Sequence, residues 1–482
     1  MSLNRRHFLA TSGALALLPA LSLRAQQAPL LNVSSRMLEV KGKAAKVFSV
    51  TGANGKPGLF AQEGERFSGA VRNETGAPLV MHWHGQVFAP YDQDRARPDG
   101  GELAVGASDT HDFLLTPGTH WTHSHQLTEQ QLLAAPMIAR EKDAGDVQDV
   151  VVMLHDFAFR SPEEILKELG GSNVHGAHAG HGGSAPSGAA PQGMNHMHMN
   201  HGSMNHQSMH HGQMMVHAND IAYDAYLAND RTLDNPEVVR VAPGQRVRLR
   251  IINGATATAF FIDTGQLEAE CIAVDGSPCQ PRSVKNPPLA QGQRIDLIVT
   301  MPKEGGAFPI FAQVEADKLR TGIVLASAGA QLRKIADTAA KAAPHTDLSL
   351  DEMLRAAKPL PEKPVSRAYR LMLGEEAGYR WTINGRIHGE HQPLEAKVGE
   401  RISLTFMNPT MMMHPMHIHG HHFQVVGSRR GNFSGPTRDT VIVPPHSPIT
   451  VILDADKPGR WFLHCHHLYH MATGMMTELK VS

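Results

Sequence analysis

Three stretches of the chain share one pattern. A Gly-x-Arg turn opens each, apolar and polar positions then alternate, and an Asn closes the run seven positions after the Arg. The stretches are Gly64-Glu65-Arg66 to Asn73, Gly244-Gln245-Arg246 to Asn253, and Gly399-Glu400-Arg401 to Asn408. Val247, Leu249 and Ile251 form the apolar row of the second, and Ile402, Leu404 and Phe406 that of the third. A period of two belongs to a strand with one face buried, because successive side chains point to opposite faces. Glycine permits the turn into such a strand and asparagine the turn out of it. Repeats this far apart are whole domains rather than turns of a solenoid. The pattern predicts an all-β chain of three related β-sandwich domains, over about residues 28–145, 146–335 and 345–482. Two short helices are expected besides. Ser161 to Leu169 has Pro162 in its first turn and Gly170 past its end, and Asp351 to Ala357 lies in the linker before the third domain.

Composition narrows the function. The net charge of −1 gives no electrostatic case for nucleic acid or an anionic membrane surface. Arg5-Arg6-His7-Phe8-Leu9-Ala10, the apolar run from Leu15 to Leu23 and Ala25 resemble a twin-arginine export signal over residues 1–25, which implies a periplasmic protein. An ordinary secretory signal leads to the same compartment, and the run is too short to span a bilayer. The 31 histidines and 23 methionines stand against 5% aromatics. Many of them fall in residues 171–217, which include Met194-Asn195-His196-Met197-His198-Met199 and are too poor in aliphatics to form a core. Thioethers and imidazoles together suit copper capture; the alternative is a tolerated loop of incidental composition. Of the three cysteines, Cys271 and Cys279 flank the turn Asp275-Gly276-Ser277-Pro278, either as a disulfide or as two buried thiols.

The third cysteine sits in the densest chemistry of the chain. Between His464 and Met475, Cys465, His470 and Met475 supply a thiolate, an imidazole and a thioether. One more imidazole completes the His₂Cys trigonal set with a weak axial Met that holds a single-electron blue copper. On a strand His464 and His466 point one way and Cys465 the other, so one tripeptide touches two metal sites. Four non-overlapping His-x-His pairs occur outside the 171–217 segment: His82/His84, His123/His125, His417/His419 and His464/His466. Two belong to the first domain and two to the third. Where those domains meet, eight neutral imidazoles converge, a set suited to three coppers rather than one ion. His414, three residues before His417, has the opposite parity and supplies the missing blue-copper imidazole.

In this order, His-Trp-His-Gly, His-Ser-His, His-Pro-x-His-x-His-Gly and His-Cys-His-x3-His-x3-Gly-Met resemble the four copper motifs of the multicopper oxidases. The likeness is to a three-domain bacterial laccase or copper-efflux oxidase and covers essentially the whole chain after residue 25. It implies three cupredoxin-like Greek-key β-sandwich domains and four copper ions. By the resemblance, type 1 copper takes His414, Cys465, His470 and Met475; type 2 takes His82 and His417; the type 3 pair takes His84, His123, His125, His419, His464 and His466. Electrons would pass from a small reductant, Cu(I) or a phenol, through Cys465 to His464 and His466, and dioxygen would be reduced to water. The second domain holds no ligand in this family. Asp99, in Pro98-Asp99-Gly100-Gly101, resembles the family carboxylate that serves the cluster, and equally a turn Asp before glycines. Two departures stand out: Met471 occupies a position acidic in many bacterial relatives, and Thr410 precedes Met411-Met412-Met413 where copper-efflux oxidases place an acid. Those methionines either bind Cu(I) or pack the core. Three readings are open: a Cu(I) oxidase, a general laccase or other metal oxidase, and a copper-sequestering protein without oxidase activity. A monomer without stable membrane insertion is the default expectation.

Overall fold

The structure is a computed structural model and describes residues 29–171 and 218–482. The stretch that resembles an export signal and, apart from Gly171, the Met/His-rich segment lie outside the described residues.

Each of the three repeats becomes a strand, Arg66–Glu74, Arg246–Asn253 and Glu400–Asn408, and each has the same parallel partner, the first long strand of its sandwich. These partners are Pro29–Val40, Gln148–Phe157 and Arg367–Glu376. The opposing sheets repeat a second parallel pair: Leu59–Gln62 with Ala134–Arg140, Val238–Arg240 with Arg320–Ala326, and Leu394–Ala396 with Met476–Val481. The remaining ladders are antiparallel. The chain is thus three cupredoxin-like β-sandwiches in series, of four plus four, six plus five, and seven plus five strands.

The closing asparagines explain why the repeat keeps that residue. Asn73 Nδ2 donates to the carbonyls of Ala77 and Leu103 at 2.8 and 2.9 Å, while its Oδ1 accepts the Thr75 N–H at 2.9 Å. Asn253 does the same with Thr258, Leu289 and Ala255, and Asn408 with Met412, Val443 and Thr410. A buried side chain with both a donor and an acceptor satisfies three backbone groups where the strand leaves the sheet.

The first expected helix is present as Pro162–Glu168, with Ser161 and Glu164 forming a capping box. The second lies earlier than expected, at Ser349–Met353, and Leu354 is already extended. Leu354 turns into the core of the second sandwich, and Cys279 pairs with Ala356 across a bridge, so tertiary packing ends the helix. Cys271 and Cys279 are both free and buried in that core.

The first two sandwiches are joined by a buried ionic seam. Arg248 and Arg250 reach Glu141 at 2.6 and 2.8 Å, and Thr119 Oγ1 donates to Asp296 at 2.7 Å. The first and third meet through the histidines.

Candidate metal centres

In the five-stranded sheet of the third sandwich, His414–Ile418 runs antiparallel to Gly459–Cys465, with His417 opposite His464 and Met416 opposite Cys465. In the first sandwich Met81–His84 pairs with Gly118–Ser124, setting His82 opposite His123. The second histidine of each pair sits at a strand end: His84 is the last residue of its strand, and His125, His419 and His466 each stand one residue past theirs. The helix Leu468–Ala472 then brings His470 back toward Cys465.

Parity sorts the donors into two groups. On one side, Cys465 Sγ lies 3.7 Å from both His414 Nδ1 and His470 Nδ1, which are 3.2 Å apart. A point equidistant from these three atoms is about 2 Å from each, the length of a metal bond to nitrogen or sulfur. All three residues and Met475 are fully buried, and Met475 N–H donates to the His470 carbonyl at 2.9 Å. The His470 ring is sandwiched between Trp381 at 3.8 Å and His467 at 3.7 Å. Burial, and then His467, lowers His414 to about 3, while burial pushes the Cys465 thiol up. The imidazoles are therefore neutral, as ligands must be, and the thiol needs a metal's charge to ionise.

On the other side eight imidazoles from two sandwiches converge. His82 Nε2 is 3.2 Å from His417 Nε2, His84 Nδ1 is 3.4 Å from His123 Nε2, and His464 Nε2 is 3.3 and 3.0 Å from Nε2 of His125 and His419. Sets with donor atoms close enough to share an ion include His82, His84 and His417; His84, His123 and His466; and His125, His419 and His464. So many buried imidazoles turned on one another are costly unless metal satisfies their lone pairs. His466 Nε2 has no hydrogen-bond partner, and a Cβ on Gly292, at φ +80°, would lie 2.6 Å from its ring. These residues fit copper, whose preferred ligands include imidazole and thiolate.

The outward nitrogens are held by the protein. His82 Nδ1 is 2.7 Å from Asp94 Oδ2, and His123 Nδ1 is 2.9 Å from Glu129 Oε2. Burial pushes Asp94 up to about 7 against its bonds from the Ala96 and Trp83 amides, and burial also raises Glu129. Asp439 is enclosed too, but Arg294 and then His84 hold it well below the usual carboxylate range despite burial.

Asp99 is not among these groups. Its carboxylate is 59% exposed and pairs with Arg97 at 3.3 Å and with the Tyr91 hydroxyl. The Pro98-Asp99-Gly100 turn folds tightly against the Arg95 carbonyl and carries Asp99 to the surface. Asp94, five residues earlier and just past the single turn Tyr91–Gln93, is the carboxylate set against His82 instead. The two acids lie in one loop, and no local sequence signal separates them. Glu129, on the turn Leu127–Gln131 after His125, was also missed. Met471 is buried among Leu127, Ile165 and Leu166, an apolar setting. Met412 and Met413 pack the third core, whereas Met411 Sδ lies 3.1 Å from the exposed His446 Nε2.

Comparison with known proteins agrees with this geometry. Residues 32–143, 189–330 and 362–482 each match a family model described as multicopper oxidase. The multicopper oxidase MmcO of Mycobacterium tuberculosis is 30% identical over 459 residues, covering 90% of this chain and 83% of that protein. The chain belongs to the multicopper oxidase family. Copper resistance protein A of Escherichia coli is 24% identical to this multicopper oxidase, over 94% of the chain and 92% of the relative. The crystal structure of Fet3p, a multicopper oxidase that functions in iron import, superposes with a TM-score of 0.72 at 16% identity, over 94% and 90% of the two chains. Laccase from Botrytis aclada gives 0.71 at 19%, over 93% and 86%. At those identities the structures establish the shared fold. The protein is a copper-dependent oxidoreductase that uses dioxygen and a reductant.

Proposed function

We propose that this multicopper oxidase withdraws single electrons from Cu(I), and from phenols as a secondary activity, and serves copper tolerance after export to the periplasm by the twin-arginine route. His414, Cys465, His470 and Met475 would hold a type 1 copper, His82 and His417 a type 2 copper, and His84, His123, His125, His419, His464 and His466 a type 3 pair. When bound, these four ions supply one-electron oxidation at the first site and four-electron reduction of dioxygen to water at the second. The chain does the rest. Cys465 lies one peptide bond from each of His464 and His466, so covalent backbone spans the two donor sets. Asp94, rather than Asp99, stands where a carboxylate serves the oxygen site, bonded to His82. The domain bounds 28–145, 146–335 and 345–482 and a monomeric state belong to the same reading. Among the described residues no helix is long and apolar enough to cross a membrane.

The observation that carries the oxidase reading is the separation of donors by Cys465: a trigonal thiolate set on one side and eight imidazoles on the other. A sequestering protein has no use for that division. Two contacts favour Cu(I) as reductant. Met411, three positions from both Asn408 and His414, sets its thioether against the His446 imidazole. The described ends of the Met/His-rich segment also lie beside the type 1 donors. Gly171 sits against Thr473 and Tyr379, and Asp220 accepts a 2.5 Å hydrogen bond from Tyr379 and lies 3.6 Å from His467. Oxygen uptake by the copper-loaded protein, with Cu(I) and a phenol in parallel, tests the proposal. Faster turnover of Cu(I) is expected. A preference for the phenol would make it a general laccase, and copper binding without oxygen uptake would leave only sequestration.

A further inference from the structure

The second sandwich contributes none of the copper donors assigned above, yet one of its side chains is buried at their edge. Arg294 opens the strand Arg294–Thr300 and is completely enclosed. Its guanidinium grips Asp439 of the third sandwich at two points, Nη1 to Oδ1 at 2.7 Å and Nη2 to Oδ2 at 2.6 Å. Nε donates to the Thr119 carbonyl of the first sandwich at 3.1 Å, and Nη1 also to the Gly292 carbonyl at 3.0 Å. The planar fork is thus fixed from three directions, which a lysine could not reproduce. The oxygen it holds, Asp439 Oδ1, lies 3.1 Å from His84 Nε2 and accepts the Thr440 hydroxyl at 2.9 Å.

That contact gives one imidazole the opposite orientation to its neighbours. His82, His123, His417, His419 and His464 turn Nδ1 outward, to Asp94, Glu129 and the carbonyls of Asp439, Ala96 and Cys465, and leave Nε2 inward. His84 is reversed: Nε2 faces Asp439, and Nδ1 points into the cluster toward His123. A neutral imidazole has one N–H and one lone pair. The nitrogen that meets a carboxylate carries the proton, so the other nitrogen is the one free to bind metal.

We propose that Arg294 is a positioning residue for the oxygen-reducing centre: by gripping Asp439 at two points it fixes His84 as the Nε2–H tautomer and makes Nδ1 its metal-binding atom. A sandwich with no ligand of its own thereby sets the geometry of a site built by the other two. The proposal rests on the reading of His84 as a copper ligand.

The test uses the full copper-loaded chain as wild type, as Arg294→Lys, and as the double variant Arg294→Met with Asp439→Leu. The blue band reports the Cys465 site, and the near-ultraviolet type 3 band reports the pair that includes His84. In Arg294→Lys the ratio of type 3 to blue absorption is expected to fall, because a lost partner of a metal-bound histidine costs about 10- to 100-fold in metal affinity. The double variant removes both buried charges together, so neither is orphaned, but it leaves His84 Nε2 only the Thr440 hydroxyl, at 3.3 Å, in place of the gripped carboxylate; the same fall is expected. A full type 3 band in either variant would reduce Arg294 to charge balance and overturn the proposal. Loss of both bands in both variants would make it a purely structural residue, with the same consequence. Absence of the type 3 band from the wild type would instead sink the copper assignment itself.

Discussion

Glu141 stands just past the last strand of the first sandwich and ties it to two arginines of the second. Its side chain is 20% exposed, while those of Arg248 and Arg250 are 5% and 0% exposed. Burial raises the carboxyl, yet the charges of Arg248 and Arg250 and their hydrogen bonds hold it at about 2 rather than its ordinary 4.5. That gap corresponds to roughly 3 kcal/mol of stabilisation at neutral pH. Because the folded value is depressed, the contribution is complete above about pH 4.5 and is lost as pH falls through about 2. Glu141→Gln should therefore lower the free energy of the first unfolding transition by roughly 3 kcal/mol at pH 7 and by only about 1 kcal/mol at pH 3. Urea unfolding of metal-free wild type and variant at the two pH values, followed by tryptophan fluorescence, measures both differences. A deficit that is the same at both pH values would refute the reasoning, since a lost packing contact does not titrate. A deficit near zero at pH 7 would show that Asp296, 2.6 Å from Arg248, and Asp149, 3.3 Å from Arg250, alone satisfy the two arginines.

Three further outcomes follow from the metal sites. Cys465→Ser should abolish the blue colour and oxygen uptake while the type 3 absorption persists; retained turnover would show that electrons bypass this residue. Asp94→Asn should slow oxygen uptake by about 10- to 100-fold, with the blue copper still reduced by substrate under anaerobic conditions; slowing of that reduction instead would place Asp94 in the wrong half-reaction. Gly292→Ala sets a methyl 2.6 Å from the His466 ring at a φ of +80°, so type 3 copper should be lost and the blue band kept, and a normal copper count would show that His466 has room to move.

The sorting of donors was legible in the sequence because it is a local property. Residues one, two or three apart on a strand have their relative faces fixed by backbone geometry. His464 and Cys465, or His414 and His417, therefore separate whatever the rest of the chain does. The closing asparagines and the capping box at Ser161 are equally short-range. The carboxylates are a different matter. Asp94 and Asp99 are five residues apart in one loop, and nothing local says which is buried against His82 and which faces water with Tyr91 and Arg97. Arg294 lies 145 residues from Asp439 and 210 from His84, and only the packing of three sandwiches brings them together. Which nitrogen His84 presents, and whether its proton has a partner, is decided there. A hydrogen bond across domains depends on the full path of the chain, while the alternation of side chains along one strand does not.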